Sequence, residues 1–501
     1  MGMRKKRDMV SCREYYCYKL QVRRDSESIV LRTGRLFQQY VVDMYVKLET
    51  SRLDYFRSKQ FEIRSELFQG IMDSVNIGEK KGMNVGHRII LPASFIGGPR
   101  DMRKRYIDAM TLVQVYGKPD IFITMTCNPN WIEIKRELAK NEEVQYRPDL
   151  VARVFRAKVE MLKNELFKKE IFGEVAAFVY VIEFQKRGLP HAHVLIILKS
   201  HAKLVSVDDF DKIISAEIPD ENDNPHLYAA VIKHMMHGPC GSLNSKNVCM
   251  KKNGKCKNHY PKSFLSNTVI GKDCYPLYRR RDSGVSAVVR KCVLDNRWVV
   301  PYNPYLLAKF DCHLNVEICS TIKAVKYLYK YVYKGHDRIT MNINLSDNVE
   351  EVDEIKSFQS ARWISPPEVM WRIYGFCLNE MYPYVMSLQV HLENKHNVIF
   401  NDSDNLQFVV NNDFFSRTML TEFFVMNKSG QKSNKLLYRE MPAHYVWNRQ
   451  WRTWNERKQC VVVGRLVSVS PFDSERYYLR MLLNHVRGPT CFSDLRYVNG
   501  V

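Results

Sequence analysis

The stretch Val181-Ile-Glu-Phe-Gln-Lys-Arg-Gly-Leu-Pro-His-Ala-His-Val-Leu-Ile-Ile-Leu198 decides the fold of this chain. Apolar and β-branched residues form runs on both sides of a turn that contains glycine and proline, as is typical of a β-hairpin. The pattern predicts one strand from Val175 to Phe184 and another from His193 to Lys199, joined by Gln185 to Pro190.

The return of this hairpin carries two histidines, His191 and His193, separated by Ala192. On an extended strand, alternate side chains share a face, so both imidazoles point to one side and the alanine points to the other. Two imidazoles in this arrangement can bind a metal ion. The alternative is a pair of histidines on a half-buried strand that are hydrogen-bonded to the backbone.

The segments around the hairpin predict a small antiparallel sheet. Apolar residues at helical spacing predict helices from about Gly34 to Val75, and Pro148-Asp149 begins a helix that runs to about Glu170. Short apolar runs predict strands at Ile121–Cys127 and His313–Cys319. The order strand, helix, strand, strand indicates an α+β fold with helices on one side of the sheet.

The composition favours a nucleic-acid partner. Among 501 residues there are 76 Lys and Arg against 54 Asp and Glu, a net charge of +22, and 28 tyrosines accompany these cations. No apolar run is long enough for a membrane span, and no P-loop motif for nucleotide hydrolysis occurs. The 13 cysteines follow no secretory leader, so we expect reduced thiols inside a cell.

A second chemical motif lies in a helix predicted from about Ser320 to Tyr333. Its sequence Lys326-Tyr-Leu-Tyr-Lys-Tyr-Val-Tyr-Lys334 places apolar residues on one stripe and lysines on the opposite one. Tyrosines occupy both borders between the stripes, with Tyr327 and Tyr331 on one border and Tyr329 and Tyr333 on the other. Periodicity does not distinguish the two pairs, and an amphipathic helix with tyrosines at its rims is the simpler interpretation.

Tyrosines, a cationic stripe and a metal-binding histidine pair together suit phosphodiester transfer. A phenol is a weak nucleophile at neutral pH, but a divalent cation on the scissile phosphate would orient the ester and stabilise the developing charge. The product would be a 5′-phosphotyrosine, which preserves the ester for rejoining. The same cation could instead activate water, which would give a hydrolytic nuclease.

The polar segment between about Ser200 and Pro304 contains a Cys/His cluster. Its members are His237, Cys240, Cys249 and Cys256. Three thiolates and one imidazole form a known tetrahedral zinc set, and metal binding would help such a segment to fold. The alternatives are that His234 or His259 replaces His237, or that this is a loop with reduced cysteines. We expect the zinc to be structural.

Two segments of this sequence closely resemble the replication-initiator part of Helitron rolling-circle transposases, which are HUH endonucleases. They are Glu183-Phe-Gln-Lys-Arg-Gly-Leu-Pro-His-Ala-His193 and Ala324-Val-Lys-Tyr-Leu-Tyr-Lys-Tyr-Val-Tyr-Lys-Gly335. Phe95-Ile-Gly-Gly-Pro-Arg100, Phe122-Ile-Thr-Met-Thr-Cys-Asn-Pro129 and Asp295-Asn-Arg-Trp-Val-Val-Pro-Tyr-Asn-Pro304 also match. The likeness extends over nearly all of the chain from about Gln21.

The resemblance implies roles for individual residues. The family pattern Lys-Tyr-Leu-x-Lys-Tyr falls on Tyr327 and Tyr331, which makes them the expected catalytic pair. His191 and His193 would hold Mg²⁺ or Mn²⁺ with a third side chain from the preceding strand. Either Gln185 or Glu183 could be this ligand. We favour Gln185 because it is nearer the turn, whereas ligand hardness alone would favour the carboxylate of Glu183 for Mg²⁺. The residues expected to contact DNA are Lys186, Arg187, Lys323, Lys326, Lys330 and Lys334.

The resemblance also implies partners and a domain plan. We expect single-stranded DNA of transposon ends as substrate, a nuclear location, and a Pif1-type helicase supplied by a separate or missing region. A non-catalytic, transposon-derived DNA-binding protein is the alternative. The expected domains are a helical region (1–90), the first part of the HUH core (91–200), the Cys/His-rich insertion (201–304), the second part of the core (305–345) and a mixed extension (346–501).

Overall fold

A computed structural model describes most of the chain. The described residues are 9–23, 28–76, 78, 80–82, 87–88, 95–184, 188–250, 254–271, 275–321, 354–359, 363–430 and 432–497. The chain divides into two compact units, the first comprising Met1–Glu49, Val113–Lys334 and Trp363–Met381, and the second Thr50–Leu112, Gly335–Arg362 and Tyr382–Val501. None of the helices in these ranges combines the length and apolar character that crossing a bilayer requires.

The regular elements are numbered in chain order. The helices are α1 (Cys12–Lys19), α2 (Arg35–Glu62), α3 (Phe68–Asn76), α4 (Pro99–Tyr116), α5 (Ile132–Lys135), α6 (Pro148–Phe167), α7 (Val207–Ile213), α8 (Pro225–Ala230), α9 (Pro304–Phe310), α10 (Glu354–Gln359), α11 (Pro366–Ile373), α12 (Leu406–Asn411), α13 (Asp413–Ser416), α14 (Met419–Lys428), α15 (Met441–His444) and α16 (Ser474–Leu482). The strands are β1 (Ile63–Leu67), β2 (His87–Arg88), β3 (Ile121–Thr126), β4 (Val175–Phe184), β5 (Pro190–Leu198), β6 (Ser286–Val289), β7 (Cys292–Asp295), β8 (Leu314–Ile318), β9 (Asn379–Tyr382), β10 (Tyr384–Leu388), β11 (Asn397–Asn401), β12 (Tyr445–Asn448), β13 (Thr453–Glu456) and β14 (Val462–Leu466).

The first unit is built on a five-stranded sheet with the order β8-β3-β5-β4-β9. The pairs β4–β5, β3–β5 and β3–β8 are all antiparallel. The predicted antiparallel sheet with accompanying helices is therefore confirmed, and the predicted hairpin supplies its second and third strands from one edge.

The two faces of this sheet differ in chemistry because the side chains alternate along each strand. One face contributes Ile123, Val194, Tyr180 and Val316 to the core of the unit. Helix α6 covers this core with apolar side chains at helical spacing, and Phe155 is completely buried there. Burial of each such side chain stabilises the fold by about 1.5–3 kcal/mol. The opposite face carries the polar side chains considered below.

The start of α6 is fixed by a buried ion pair. Arg147 precedes the helix and forms two hydrogen bonds with the carboxylate of Asp149, at 3.0 and 2.8 Å. Both side chains are almost fully buried. An acidic group in the first turn also interacts favourably with the helix dipole.

One local expectation differs from the structure. The predicted helical stretch from Gly34 to Val75 is interrupted by β1, which pairs antiparallel with β11 across all five of its residues. This pairing joins segments more than 300 residues apart, and periodicity in a local window contains no information about it.

The second unit has smaller sheets. Strands β1, β2 and β11 form one sheet, β10 and β14 form a parallel pair, and β12 and β13 form a hairpin. One of its apolar cores includes Leu420, Phe423, Tyr438, Trp454 and Leu483.

Candidate functional site

The histidine pair lies on β5, a central strand of the first unit's sheet. His191 is opposite Thr126 of β3 and Glu183 of β4, and His193 is opposite Thr124 of β3 on one side. Both imidazoles are buried, with 8% and 7% of their surface exposed. Their rings are nearly parallel, at an interplanar angle of 11° with centroids 6.4 Å apart. The two imidazoles therefore lie on the same face of the sheet, as the sequence predicts.

Each imidazole contacts a threonine hydroxyl through the same ring nitrogen. The Oγ1 of Thr126 lies 2.8 Å from Nδ1 of His191, and the Oγ1 of Thr124 lies 3.0 Å from Nδ1 of His193. A hydroxyl can either donate to this nitrogen or accept from it. When it accepts, the proton is on Nδ1 and the lone pair of Nε2 is available to a metal ion.

Glu183 is the third side chain of this site that the structure describes. One of its carboxylate oxygens lies 2.9 Å from Nε2 of His193, and its side chain is 38% exposed. In this arrangement Nε2 of His193 donates to the carboxylate, and Nδ1 accepts from Thr124. Metal binding at Nε2 would move the proton to Nδ1 and reverse the role of the hydroxyl.

The electrostatic surroundings keep His191 neutral near pH 7. Burial, together with the neighbouring imidazoles of His193 and His313, lowers the pKa of His191 to about 4 against the opposing effect of Glu183. Metal ions bind the neutral form of imidazole. Because His191 is already neutral near pH 7, it does not have to lose a proton before it binds a cation. Two imidazoles and a carboxylate form a donor set that fits a divalent cation.

The same face continues onto β8 with three further polar residues, His313, Asn315 and Glu317. Nδ1 of His313 donates to the carbonyl of His234 at 2.8 Å. Glu317 is buried, and burial raises the pKa of its carboxyl group to about 7. The sequence analysis did not identify these residues or the two threonines. Thr124 and Thr126 have the same alternation as the histidine pair, which is the signal that could have indicated them.

Several predicted site residues lie outside the described residues. They are Gln185, Lys186, Arg187, Lys323, Lys326, Tyr327, Lys330, Tyr331 and Lys334. The helix predicted from Ser320 to Tyr333 is likewise outside them except for its first two residues. The choice of Gln185 as a metal ligand, the catalytic tyrosines and the DNA contacts therefore stay predictions.

The predicted Cys/His cluster is assembled in the structure. The ligand atoms of His237, Cys240, Cys249 and Cys256 all lie within 4.8 Å of one another. Among the described residues, this is the one group of three or more His, Cys, Asp or Glu side chains whose ligand atoms lie so close together. The ligand atoms of His191, His193 and Glu183 are not all this close to one another. These four side chains could bind zinc.

Short loops and packing hold the cluster together. A backbone bridge joins Met250 to Cys256, and the ring of Tyr260 packs edge-on against His237 with centroids 4.1 Å apart. Of the two alternatives to His237, His234 contacts the carboxylate of Asp311 at 2.8 Å instead, and neither it nor His259 belongs to the group.

The three thiols differ in acidity in the metal-free cluster. Burial and hydrogen bonding to the other two cysteines raise the pKa of Cys240 to about 12, and burial also raises the pKa of Cys249. For Cys256, the backbone N–H groups of Tyr260 and Asn258 outweigh the effect of burial, so the pKa lies below its ordinary value. Bound zinc would favour the thiolate form of all three cysteines.

Comparison with known proteins gives a family match for the part of the chain that contains the histidine pair. A search of the curated proteins gives no match. Residues 15–196 match the family model of the Helitron helicase-like domain at the N-terminus, and this range includes β3, β4 and most of β5 with both histidines. The resemblance drawn from the sequence is confirmed over this range. Over residues 15–196 the chain is therefore similar to the Helitron helicase-like N-terminal domain.

Proposed function

We propose that this chain is a metal-dependent single-stranded DNA endonuclease and strand transferase of a rolling-circle transposon. The observation that carries the proposal is the polar face of the sheet, where His191, His193 and Glu183 meet. Two oriented imidazoles and a carboxylate on one strand pair are suited to hold a divalent cation. The match of residues 15–196 to the Helitron helicase-like domain supports the same function.

The cation would polarise the scissile phosphate and stabilise the charge that develops on its oxygens. The residues of the chain would do the remaining work. The phenolic oxygen of Tyr327 or Tyr331 would form a bond to phosphorus, and the bond from phosphorus to the 3′ oxygen would break. That oxygen would take up a proton and leave as a 3′-hydroxyl, and the 5′ end would stay on the tyrosine. Attack by a second 3′-hydroxyl would reverse these steps and join two strands.

The charge of the chain bears on the substrate, because a net charge of +22 favours a polyanion. The two imidazole rings, whose centroids are 6.4 Å apart, would have to approach each other when a cation binds. We propose transposon-end single-stranded DNA as substrate, a nuclear location and a helicase from a separate polypeptide or region as partner.

A covalent-adduct assay tests the proposal. The full chain is incubated with 5′- or 3′-labelled single-stranded DNA and Mn²⁺ and is then separated on a denaturing gel. We expect a protein band that carries the DNA downstream of the nick, and we expect Tyr327→Phe, Tyr331→Phe or His191→Ala to weaken or abolish it. Tyr329→Phe and Tyr333→Phe are matched controls, since they alter the other border of the same predicted helix.

The alternatives give different products. Cleaved DNA without a covalent band would indicate a hydrolytic nuclease. Intact DNA that is bound with a steep salt dependence, equally well by His191→Ala, would indicate a non-catalytic DNA-binding protein. Either result would refute the proposed strand transfer.

A further inference from the structure

The hairpin of β12 and β13 in the second unit has an exposed tip, and the residues on both sides of the tip are packed. Strands β12 and β13 pair from Tyr445 to Glu456, and the connecting loop is Arg449-Gln-Trp-Arg452. Trp447 and Trp454 pack against each other with ring centroids 5.2 Å apart, and the indole of Trp454 donates to the carbonyl of Met419. Trp451 instead remains 65% exposed. The tip therefore presents one indole on a rigid support.

The loop itself is ordered by hydrogen bonds. The side-chain oxygen of Asn448 accepts from the backbone N–H groups of Gln450 and Trp451, at 2.9 and 3.2 Å. The guanidinium of Arg452 donates to the carbonyls of Phe414 and Arg417, at 2.7 and 3.3 Å. A side chain held in this way loses little further conformational entropy when it binds a ligand.

Arg452 connects the tip to a row of aromatic rings. Its guanidinium lies over the ring of Phe414 at 4.0 Å from the centroid. Phe414 contacts Phe415 at 5.7 Å, and Phe415 contacts Phe408 at 6.4 Å. Phe408 and Phe414 are 60% and 39% exposed. We call these residues, namely Trp451, Arg452, Phe414, Phe415 and Phe408, the aromatic strip.

We infer that the aromatic strip is a binding site for single-stranded nucleic acid, on which bases stack while neighbouring arginines contact phosphates. Exposed aromatic rings interleaved with cations are the features by which proteins hold single strands without reading their sequence. Charge favours this ligand over an apolar protein surface, because the hairpin from Tyr445 to Glu456 contains Arg449 and Arg452 in its loop and one acidic residue, Glu456, at the far end of β13. The supporting helices carry Asp413 and Glu422, and Glu422 faces Arg417 at 3.9 Å.

This inference deepens the proposed function, which requires single-stranded DNA as substrate, but it concerns a site on the second unit and does not depend on nicking. The strip would bind the strand whatever the sequence at the cleaved phosphate. The strip would increase the affinity for the strand, and the polar face of the sheet with His191 and His193 would supply the chemistry.

Equilibrium binding of a fluorescein-labelled oligo(dT) 20-mer by the full chain, with no Mg²⁺ or Mn²⁺ added, tests the inference. We expect Trp451→Ala to raise the dissociation constant by about 5- to 150-fold, the range for the loss of one stacked base. Trp451→Phe should recover most of the affinity because it keeps a ring. Tyr478→Ala is the matched control, since Tyr478 in the same unit is also 65% exposed and lies outside the strip; it should bind as the unaltered chain does.

A direct contact is measured by photocrosslinking with 5-iodouracil in the same oligonucleotide. We expect the crosslinked peptide to contain Trp451 or Phe414. Equal affinity of Trp451→Ala and Tyr478→Ala, with no crosslink at the strip, would overturn the inference. So would a Trp451→Ala variant that binds DNA normally but changes its oligomeric state, since the strip would then be a contact between copies of the chain. If the chain forms no covalent adduct but its DNA binding still depends on Trp451, the proposed function is refuted and the inference about the strip is not.

Discussion

Replacement of Thr126 by valine tests whether the threonine hydroxyls prepare the histidine pair for a cation. Valine has nearly the shape of threonine but offers nothing to Nδ1 of His191, which lies 2.8 Å from the hydroxyl oxygen. A neutral hydrogen bond contributes about 0.5–1.5 kcal/mol, which is about 2- to 12-fold in affinity. Orienting partners of metal-bound histidines are typically worth about 10–100-fold. The two ranges meet near 10-fold, which is the loss of Mn²⁺ affinity that we expect.

The assay follows the electron paramagnetic resonance signal of free Mn²⁺ during titration into zinc-loaded protein, so that the Cys/His cluster does not compete. Thr126→Ser is the control, because it keeps the hydroxyl and should bind Mn²⁺ within about twofold of the unaltered chain. The unfolding midpoint of each variant shows whether the fold is preserved. If Thr126→Val binds Mn²⁺ as tightly as Thr126→Ser, the hydroxyl does not orient His191 and the reasoning is wrong.

Three further predictions concern the rest of the molecule. Cys256→Ser should reduce bound zinc from about one ion per chain to none, measured by mass spectrometry of the metal, whereas Cys292→Ser, a nearby half-buried cysteine outside the ligand group, should retain it. Asp149→Ala should lower the free energy of unfolding by about 3–5 kcal/mol, because Arg147 would remain buried without its partner; a loss below 1 kcal/mol in denaturant titration would contradict this. Burial lowers the pKa of His391 to about 4, so the unfolded chain binds one more proton than the folded chain between pH 6.5 and 4. Stability should therefore fall with decreasing pH in that window by about 1.4 kcal/mol per unit for this residue, and His391→Gln should show a correspondingly shallower pH dependence.

Much of the first unit could be predicted because its determinants are local. The hairpin of β4 and β5 follows from two apolar runs and a turn, and strand β3 from a run that ends at an Asn-Pro step. The Cys/His cluster could be predicted because three cysteines and a histidine, with glycine and proline nearby, match the donor set of a zinc site in a polar segment. In contrast, β1 forms only because β11 supplies its partner strand, which local periodicity cannot show.

Trp451 illustrates a second limit. The sequence contains Trp447, Trp451 and Trp454 within eight residues, a density that is typical of a packed unit. Two of them do pack against each other, but the third lies in a four-residue loop and faces solvent. Composition counts all three tryptophans alike, whereas the register of the hairpin decides which of them is buried.

The position of β5 inside the sheet explains why the histidine pair can be prepared from both sides. An edge strand has one neighbour, whereas β5 has β3 on one side and β4 on the other. Strand β3 supplies the hydroxyls of Thr124 and Thr126, and β4 supplies the carboxylate of Glu183. The hairpin sequence reveals only the β4 side, because β3 lies more than 60 residues earlier. A hydroxyl is well suited to the β3 side, since it can donate to Nδ1 when Nε2 carries the proton and accept from Nδ1 when Nε2 binds a cation. A backbone carbonyl in the same place could only accept, and the metal-free arrangement of His193 with Glu183 would then leave two acceptors facing each other.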